Sequence, residues 1–253
     1  SEHINLASGK EYKINGTTIA GAAGAVVLSD AQQNTVAGTN AGDSFDGTNP
    51  TSNTLIGNDA GKSITTGGQN TAVGTHSLRA NTTASYNTAI GRDALYTNTT
   101  GASNTAVGTD ALQLNTTGGS NTAVGHDALD ANTTGDNNTA VGQQSLSSNT
   151  TGDDNTGIGL QALQANTTAS YNTAVGRNAL NANTTGDNNT AVGRIALNVN
   201  TTGNQNTAVG YGSLDSNTTA NDNTAVGYNA LTANTTGTDN TAVGANALDA
   251  ATT

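Results

Sequence analysis

The chain predicts an all-β fold: a parallel β-solenoid or β-roll of twelve 17-residue coils, preceded by a short N-terminal β-hairpin. Three observations carry this. First, one unit recurs: Asn-Thr-Ala-Val-Gly, two variable residues, Ala-Leu, two more, then Asn-Thr-Thr-Gly and a variable pair. It starts at Asn53, Asn70, Asn87, Asn104, Asn121, Asn138, Asn155, Asn172, Asn189, Asn206, Asn223 and Asn240, each step being 17 residues without insertion or deletion. A fixed short period describes a stacked array in which each unit touches only its neighbours. Second, the fourth residue of every unit is Val or Ile, and helical arrays need repeats of ~33 residues or more. Third, the apolar residues hold this register through a chain dominated by Asn, Thr and Gly, with one Phe, one Pro and no Trp, Met or Cys. A disordered polar tract has no reason to do so.

Taken in order, residues 1–52 form a hairpin and a transition segment, and 53–253 the array. Tyr12-Lys13-Ile14 and Thr17-Thr18-Ile19 flank Asn15-Gly16, a two-residue hairpin signal. Residues 21–52 are rich in Gly, Ala and Asp, with Val26, Val27 and Leu28 as their apolar cluster. Gln33-Asn34-Thr35-Val36-Ala37-Gly38 reads as a degenerate unit start lying 19 residues before Asn53, out of phase. The segment is expected to cover the first coil, because a bare solenoid end is an unpaired sheet edge.

Within the unit, numbered 1–17 from its Asn, positions 1–5 alternate as a short strand. Thr at 2 and Val or Ile at 4 share one face, Asn at 1 and Ala at 3 the other. Position 9 is Leu in eleven of twelve units and position 11 is usually small. A second strand is therefore expected, with 9 and 11 pointing into the coil and 8 and 10 out. Asn-Thr-Thr-Gly makes the corner, since Asn and Gly tolerate tight-turn backbone angles. The variable positions 6, 7, 10, 16 and 17 are exterior. Stacking at ~4.8 Å per coil gives a rod roughly 55–60 Å long and aligns the Asn residues of positions 1 and 12 into ladders.

One Leu, one Val and one Ala per coil is a thin core, so a partner chain is expected. We expect Val at position 4 to face inward, leaving a smooth Asn-Ala-Gly strip outside. In the alternative, Val faces outward and an unbroken Thr/Val stripe meets water, larger than the apolar patches monomers usually expose. Either arrangement leaves one side suited to packing, and a homotrimer around a common axis satisfies it.

Composition excludes several function classes. The net charge is −11 and the seven cations (Lys10, Lys13, Lys62, Arg79, Arg92, Arg177, Arg194) are scattered, which argues against nucleic acid. No run approaches the ~18 apolar residues of a membrane helix. With no cysteine, the redox compartment cannot be read. The start, SEHINLASGK, lacks an initiator Met, and Thr253 falls at position 14 of the twelfth unit, as expected of a piece of a longer chain.

Candidate chemistry is sparse. His76 and His126 occupy exterior positions 7 and 6, and no Ser sits in a G-x-S-x-G setting. No catalytic, cofactor or metal site is assigned, and no enzyme activity is expected. Asp136/Asp153 and Asp222/Asp239 lie one coil apart, as carboxylates sharing a hard cation would; solvated corner groups are the plainer reading. Asp43-Ser44-Phe45-Asp46-Gly47 only faintly resembles a calcium loop. The Asn-Thr-Thr triplets satisfy the N-glycosylation sequon but read first as turn chemistry. The exterior tyrosines are the candidate receptor contacts: Tyr211 and Tyr228 share position 6 on successive coils, and Tyr86 and Tyr171 share position 17. Stacked tyrosines pack on sugar rings or on each other.

The wording NTAVG followed by Ala-Leu resembles the head repeats of trimeric autotransporter adhesins. NTAVGxxALxxNTTG is similar to repeat shafts of bacteriophage tail fibres over residues 53–253, and INLASGKEYKINGTTI more loosely so. The resemblance implies a homotrimeric, elongated fibre that carries or performs host attachment. It also implies a cell-surface receptor, such as a glycan, and a place in a virion tail fibre or on a bacterial surface. The 17-residue period differs from that of the adhesin heads, and no chaperone domain or membrane anchor lies within the chain. Two other readings stand beside it. If Val faces outward, the Thr array suits an ice- or surface-binding solenoid. A glycan-degrading fibre would require paired carboxylates in a groove, for which the rod has no place.

Overall fold

The structure, a computed structural model, describes the backbone of residues 13–14, 17–18 and 28–29 and the full residues 32–45 and 50–252. Two short strands, β1 (Lys13–Ile14) and β2 (Thr17–Thr18), pair antiparallel with Ile14 opposite Thr17. This is the pairing a two-residue Asn15-Gly16 turn requires; the turn itself, like Val26 and Val27, lies outside the described residues. β3 (Leu28–Ser29) and β4 (Thr35–Ala37) open the main sheet. β5 to β16 then each span positions 2–4 of one unit. They are Thr54–Ile56, Thr71–Val73, Thr88–Ile90, Thr105–Val107, Thr122–Val124, Thr139–Val141, Thr156–Ile158, Thr173–Val175, Thr190–Val192, Thr207–Val209, Thr224–Val226 and Thr241–Val243.

The sheet has 14 strands in strict sequence order, and only the β3–β4 pair is antiparallel. Thr stands against Thr and Val against Val, as in Thr105↔Thr122 and Val107↔Val124. The out-of-phase stretch at 33–38 is thus a coil of the solenoid: Thr35 pairs with Thr54 in parallel despite the 19-residue step. β3 lies on the outer edge of β4, so this first parallel strand does not present a bare backbone there. Hydrogen bonds from coil to coil continue outside the strands. Asp110 N–H reaches Arg92 O at 3.0 Å, Leu112 N–H reaches Ala128 O at 3.0 Å, and Ser120 N–H reaches Ala102 O at 2.9 Å.

Two expectations about side-chain direction are corrected. Val at position 4 does not face inward: Ala at position 3 is buried in the array, whereas Ile56 and Ile90 are each 40% exposed. The second inward pair is positions 8 and 9, not 9 and 11. Ala111 and Leu112 are both fully buried, Gln113 is half-buried and Leu114 is 45% exposed. No second strand forms in the described coils. The reason is backbone handedness: position 7 (Asp110, φ 58°) and position 9 (Leu112, φ 52°) adopt left-handed angles. Strand alternation then fails, and two consecutive side chains turn into the coil.

The core is a single column of Leu and Ala running the length of the rod. Two polar ladders flank it, as expected. At position 1, Asn121 N–H donates to Asn104 Oδ1 at 2.9 Å and its Nδ2 donates to Gly135 O at 2.8 Å. At position 12, Asn115 Nδ2 donates to Asn98 Oδ1 at 2.8 Å and to Gly118 O at 2.9 Å. Fully buried amides keep their hydrogen bonds this way, so the coil needs little apolar volume.

Candidate interaction surface

The outward Thr/Val face is the largest organised feature of the surface. Thr at position 2 and Val or Ile at position 4 recur in every unit from Thr54 to Val243, with no charged residue among them. From Thr54 to Thr241 the position-2 hydroxyls make no hydrogen bond within the chain. Parallel pairing in register stacks Thr on Thr and Val on Val in two continuous columns. The face is uncharged, half apolar and lined with free hydroxyl groups.

Two columns of variable residues border it. Position 17, just before each strand, carries Tyr86 and Tyr171, which are 59% and 61% exposed and stand five coils apart. Gln69 Nε2 donates to Tyr86 Oη at 3.3 Å. Position 6, just after Gly, carries Tyr211 and Tyr228, whose rings stack at 5.4 Å with 12° between planes. Arg194 lies over the Tyr211 ring at 5.5 Å. The four tyrosines therefore do not form one site. Two make a stacked pair on one border, and two are isolated on the other.

A polar flank formed by positions 6, 7 and 10 holds most of the charge. Asp59 accepts a hydrogen bond from Asn40 at 2.8 Å, which holds its carboxyl below the usual carboxylate range; Arg79 and Lys62 add to this. His76 lies between Asp93 (3.0 Å) and Asp59 (4.0 Å), and its ring meets Tyr96 edge-on at 5.9 Å. Arg92 pairs with Asp93 and, at 3.0 Å, with Asp110. Asp110, His126 and Asp127 bring ligand-type atoms within 4.8 Å of one another. Their partners are internal: Gln113 donates to Asp110 at 2.9 Å, and Asp127 pairs with His126 at 2.8 Å. Asp130, beside them, is half-buried; burial first, and Asp127 second, push its carboxyl up to about 6.

A cleft of about 340 Å³ opens on this flank, lined by His76, Asp93, Tyr96, Thr97, Gln113 and Leu114. Sequence reasoning missed it. The available signal was Tyr96 followed one coil later by Leu114, bulky side chains at exterior positions where other coils have small or polar ones.

Two readings of the constant letters gain a physical account. The Asn-Thr-Thr asparagines from Asn81 to Asn234 are fully buried, with their amides hydrogen-bonded inside the coil, so a glycan cannot be attached to them in the folded chain. At position 16 the corner carboxylates hold backbone: Asp136 Oδ1 accepts from Gly119 N–H at 2.6 Å, and Asp153 Oδ1 from Asp136 N–H at 2.7 Å. Ser, Asp and Asn continue this column through Ser170, Asp187, Asn204 and Asn221. Comparison with protein-family models, curated proteins and solved structures found no match. Among the described residues, no helix is long and apolar enough to cross a membrane.

Proposed function

We propose that this chain is a structural shaft of a homotrimeric attachment fibre, its copies packed side by side through the Thr/Val face. The single observation that supports this is the outward orientation of position 4. It leaves an uncharged, half-apolar strip along the whole array, and such strips on soluble chains are usually covered. The strip is only two residues wide, narrow enough for three copies to close around one axis. On the polar flank, Asp59, Asp93, Asp110 and Asp127 have partners within the chain. The wording shared with tail-fibre shafts and adhesin heads points the same way, toward an extracellular fibre that engages a cell-surface receptor.

One observation favours a second reading. Free hydroxyls repeated in register from coil to coil also suit an ice- or surface-binding face. Sedimentation equilibrium at micromolar concentration separates the two. A species of three times 24.9 kDa supports the shaft. A clean monomer that produces thermal hysteresis supports ice binding and overturns the shaft.

A further inference from the structure

The way a cation finds its counter-charge changes along the solenoid. In the early coils each stands beside aspartates: Lys62 lies 3.6 Å and Arg79 3.4 Å from the Asp59 carboxylate, and Arg92 pairs with Asp93 and Asp110. Those aspartates occupy position 7, and from Gln144 onward that position carries no acid. Asp215, on the same flank, is half-buried and hydrogen-bonded to Asn198. Arg177 and Arg194 are left exposed and, among the described residues, without a carboxylate partner. They share position 6 on consecutive coils, ~4.8 Å apart along the stack. Two like charges side by side repel, and a bound anion relieves them. The same column continues into Tyr211 and Tyr228, so four successive coils present Arg, Arg, Tyr and Tyr. Tyr211 is held between Arg194, one coil before at 5.5 Å, and Tyr228, one coil after at 5.4 Å. Tyr228 is 54% exposed, and the next residue of the column is Ala245, too small to cover the outer face of its ring.

We infer that this column binds an acidic oligosaccharide, its carboxylate or sulfate group held by Arg177 and Arg194 and a sugar ring further along packed on Tyr228. This rests on the attachment reading above for the place of the ligand on a cell surface, and adds to it a receptor chemistry and a position on the chain. Guanidinium groups match planar oxyanions with paired, charge-assisted hydrogen bonds, which lysine or a neutral donor would not supply. The C–H face of a sugar ring packs on an open tyrosine face, and its hydroxyls stay in water. Two coils separate Arg194 from Tyr228, ~10 Å, so the ligand is an oligosaccharide rather than a single sugar. A nucleic-acid strand fits less well. Successive bases need successive open ring faces, and the column offers one, because Tyr211 is already covered on either side. The net charge of −11 also repels a densely charged phosphate backbone, whereas a sparsely charged sugar meets mainly the two local arginines.

The test is isothermal titration calorimetry of the full chain with two acidic probes, a tetragalacturonate bearing carboxylates alone and a heparin tetrasaccharide bearing sulfates as well. Neutral maltotetraose and a short oligothymidylate are titrated beside them. The expected result is binding of at least one acidic probe, with maltotetraose weaker by about tenfold or more. Binding of tetragalacturonate identifies the carboxylate as the recognised group, and binding of the heparin probe alone identifies the sulfate. Arg177→Ala combined with Arg194→Ala should weaken binding about tenfold or more, and Tyr228→Ala several-fold. Arg79→Ala, which removes a cation already paired with Asp59, should bind as the native chain does. All three side chains of the site are exposed, so the circular dichroism spectrum should not change. No binding of either acidic probe, equal binding of maltotetraose, tighter binding of oligothymidylate, or an unaltered affinity in the arginine variant would each overturn the site. Solution mass keeps the two readings apart. A native trimer that binds neither acidic probe overturns the site and leaves the shaft standing, whereas a native monomer that binds one overturns the shaft and leaves the site standing.

Discussion

Gly61 and Leu55 show how closely a coil is balanced at the level of single residues. The first unit has Gly61 where eleven others have Leu, and Leu55 where most have Ala. A methyl group on Gly61 would sit 2.7 Å from Leu55 Cδ2 and 2.9 Å from Ile64 Cδ1, so Leu55 and Ile64 fill the volume that the missing side chain leaves. Gly61 keeps φ at 55°, the same left-handed region that Leu112 adopts at 52°. We expect Leu55→Ala to cost about 3 kcal/mol in denaturant unfolding. Adding Gly61→Leu should recover most of it, a non-additivity of contacting residues. Equal and additive losses would contradict this packing. Gly157 follows the same logic: a methyl group there would lie 2.6 Å from Ser145 Oγ, which donates to Gly157 O at 2.8 Å. Position 5 is stricter. At Gly125 φ is 141° and an added methyl would meet Gly142 O at 2.6 Å, so every full unit has Gly there.

Asp130 is the residue whose environment should be visible in a pH titration. Its folded carboxyl is raised to about 6, with burial the largest cause. The folded state thus favours the protonated form. Its contribution to stability is fully present below the ordinary carboxylate pKa of about 4 and is lost as pH rises through about 6. Asp130→Asn removes the titration, and Asn181 and Asn198 already occupy this position in other coils. Thermal melts should show the variant more stable than the native chain at pH 7.5, by ~1 kcal/mol after discounting for solvent screening. The two should coincide near pH 4. A variant less stable at both pH values would contradict the assignment.

At the scale of the element, alternation was readable only where the backbone is extended. Positions 1–4 behave as a strand, so the pairing of Asn with Ala on one side and Thr with Val on the other was legible. Which side faced in was not, because Val is the bulkier residue and Ala the buried one. The coil core is already filled by Leu at position 9 and by the two buried Asn columns, which leaves space for a methyl group at position 3. The second strand expected over positions 8–11 does not form. A clue was present in position 7, which is Asn, Asp, Gln, His or Gly in eleven of twelve units, mostly residues that tolerate positive φ. Ile195 is the exception, at φ 53°. The early coil at 34–38 was obscured by its 19-residue step, although Asn34 is buried and Asn53 N–H donates to Asn34 Oδ1 at 2.8 Å, as at every later position 1. Of the candidate surface, the tyrosine columns were visible in the period, while the Tyr96 cleft was not. It depends on neighbours two columns apart, which spacing along one column does not reveal.

At the scale of the molecule, the repeat builds a solenoid whose interior is filled by the Leu/Ala column and its two Asn ladders. On the polar flank Asp59, Asp93, Asp110 and Asp127 pair within the chain, and the Asn-Thr-Thr edge is occupied with its own ladder. The Thr/Val face is what remains. In the proposed fibre, copies of the chain bury this face against one another. The most direct test is the solution mass of a variant carrying Val175→Lys and Val192→Lys, two neighbouring outward positions in mid-rod, compared with the native chain. The expected result is a native trimer and a monomeric variant with an unchanged circular dichroism spectrum, because position 4 contributes nothing to the coil interior. A native monomer, or a variant that associates as tightly as the native chain, would contradict it.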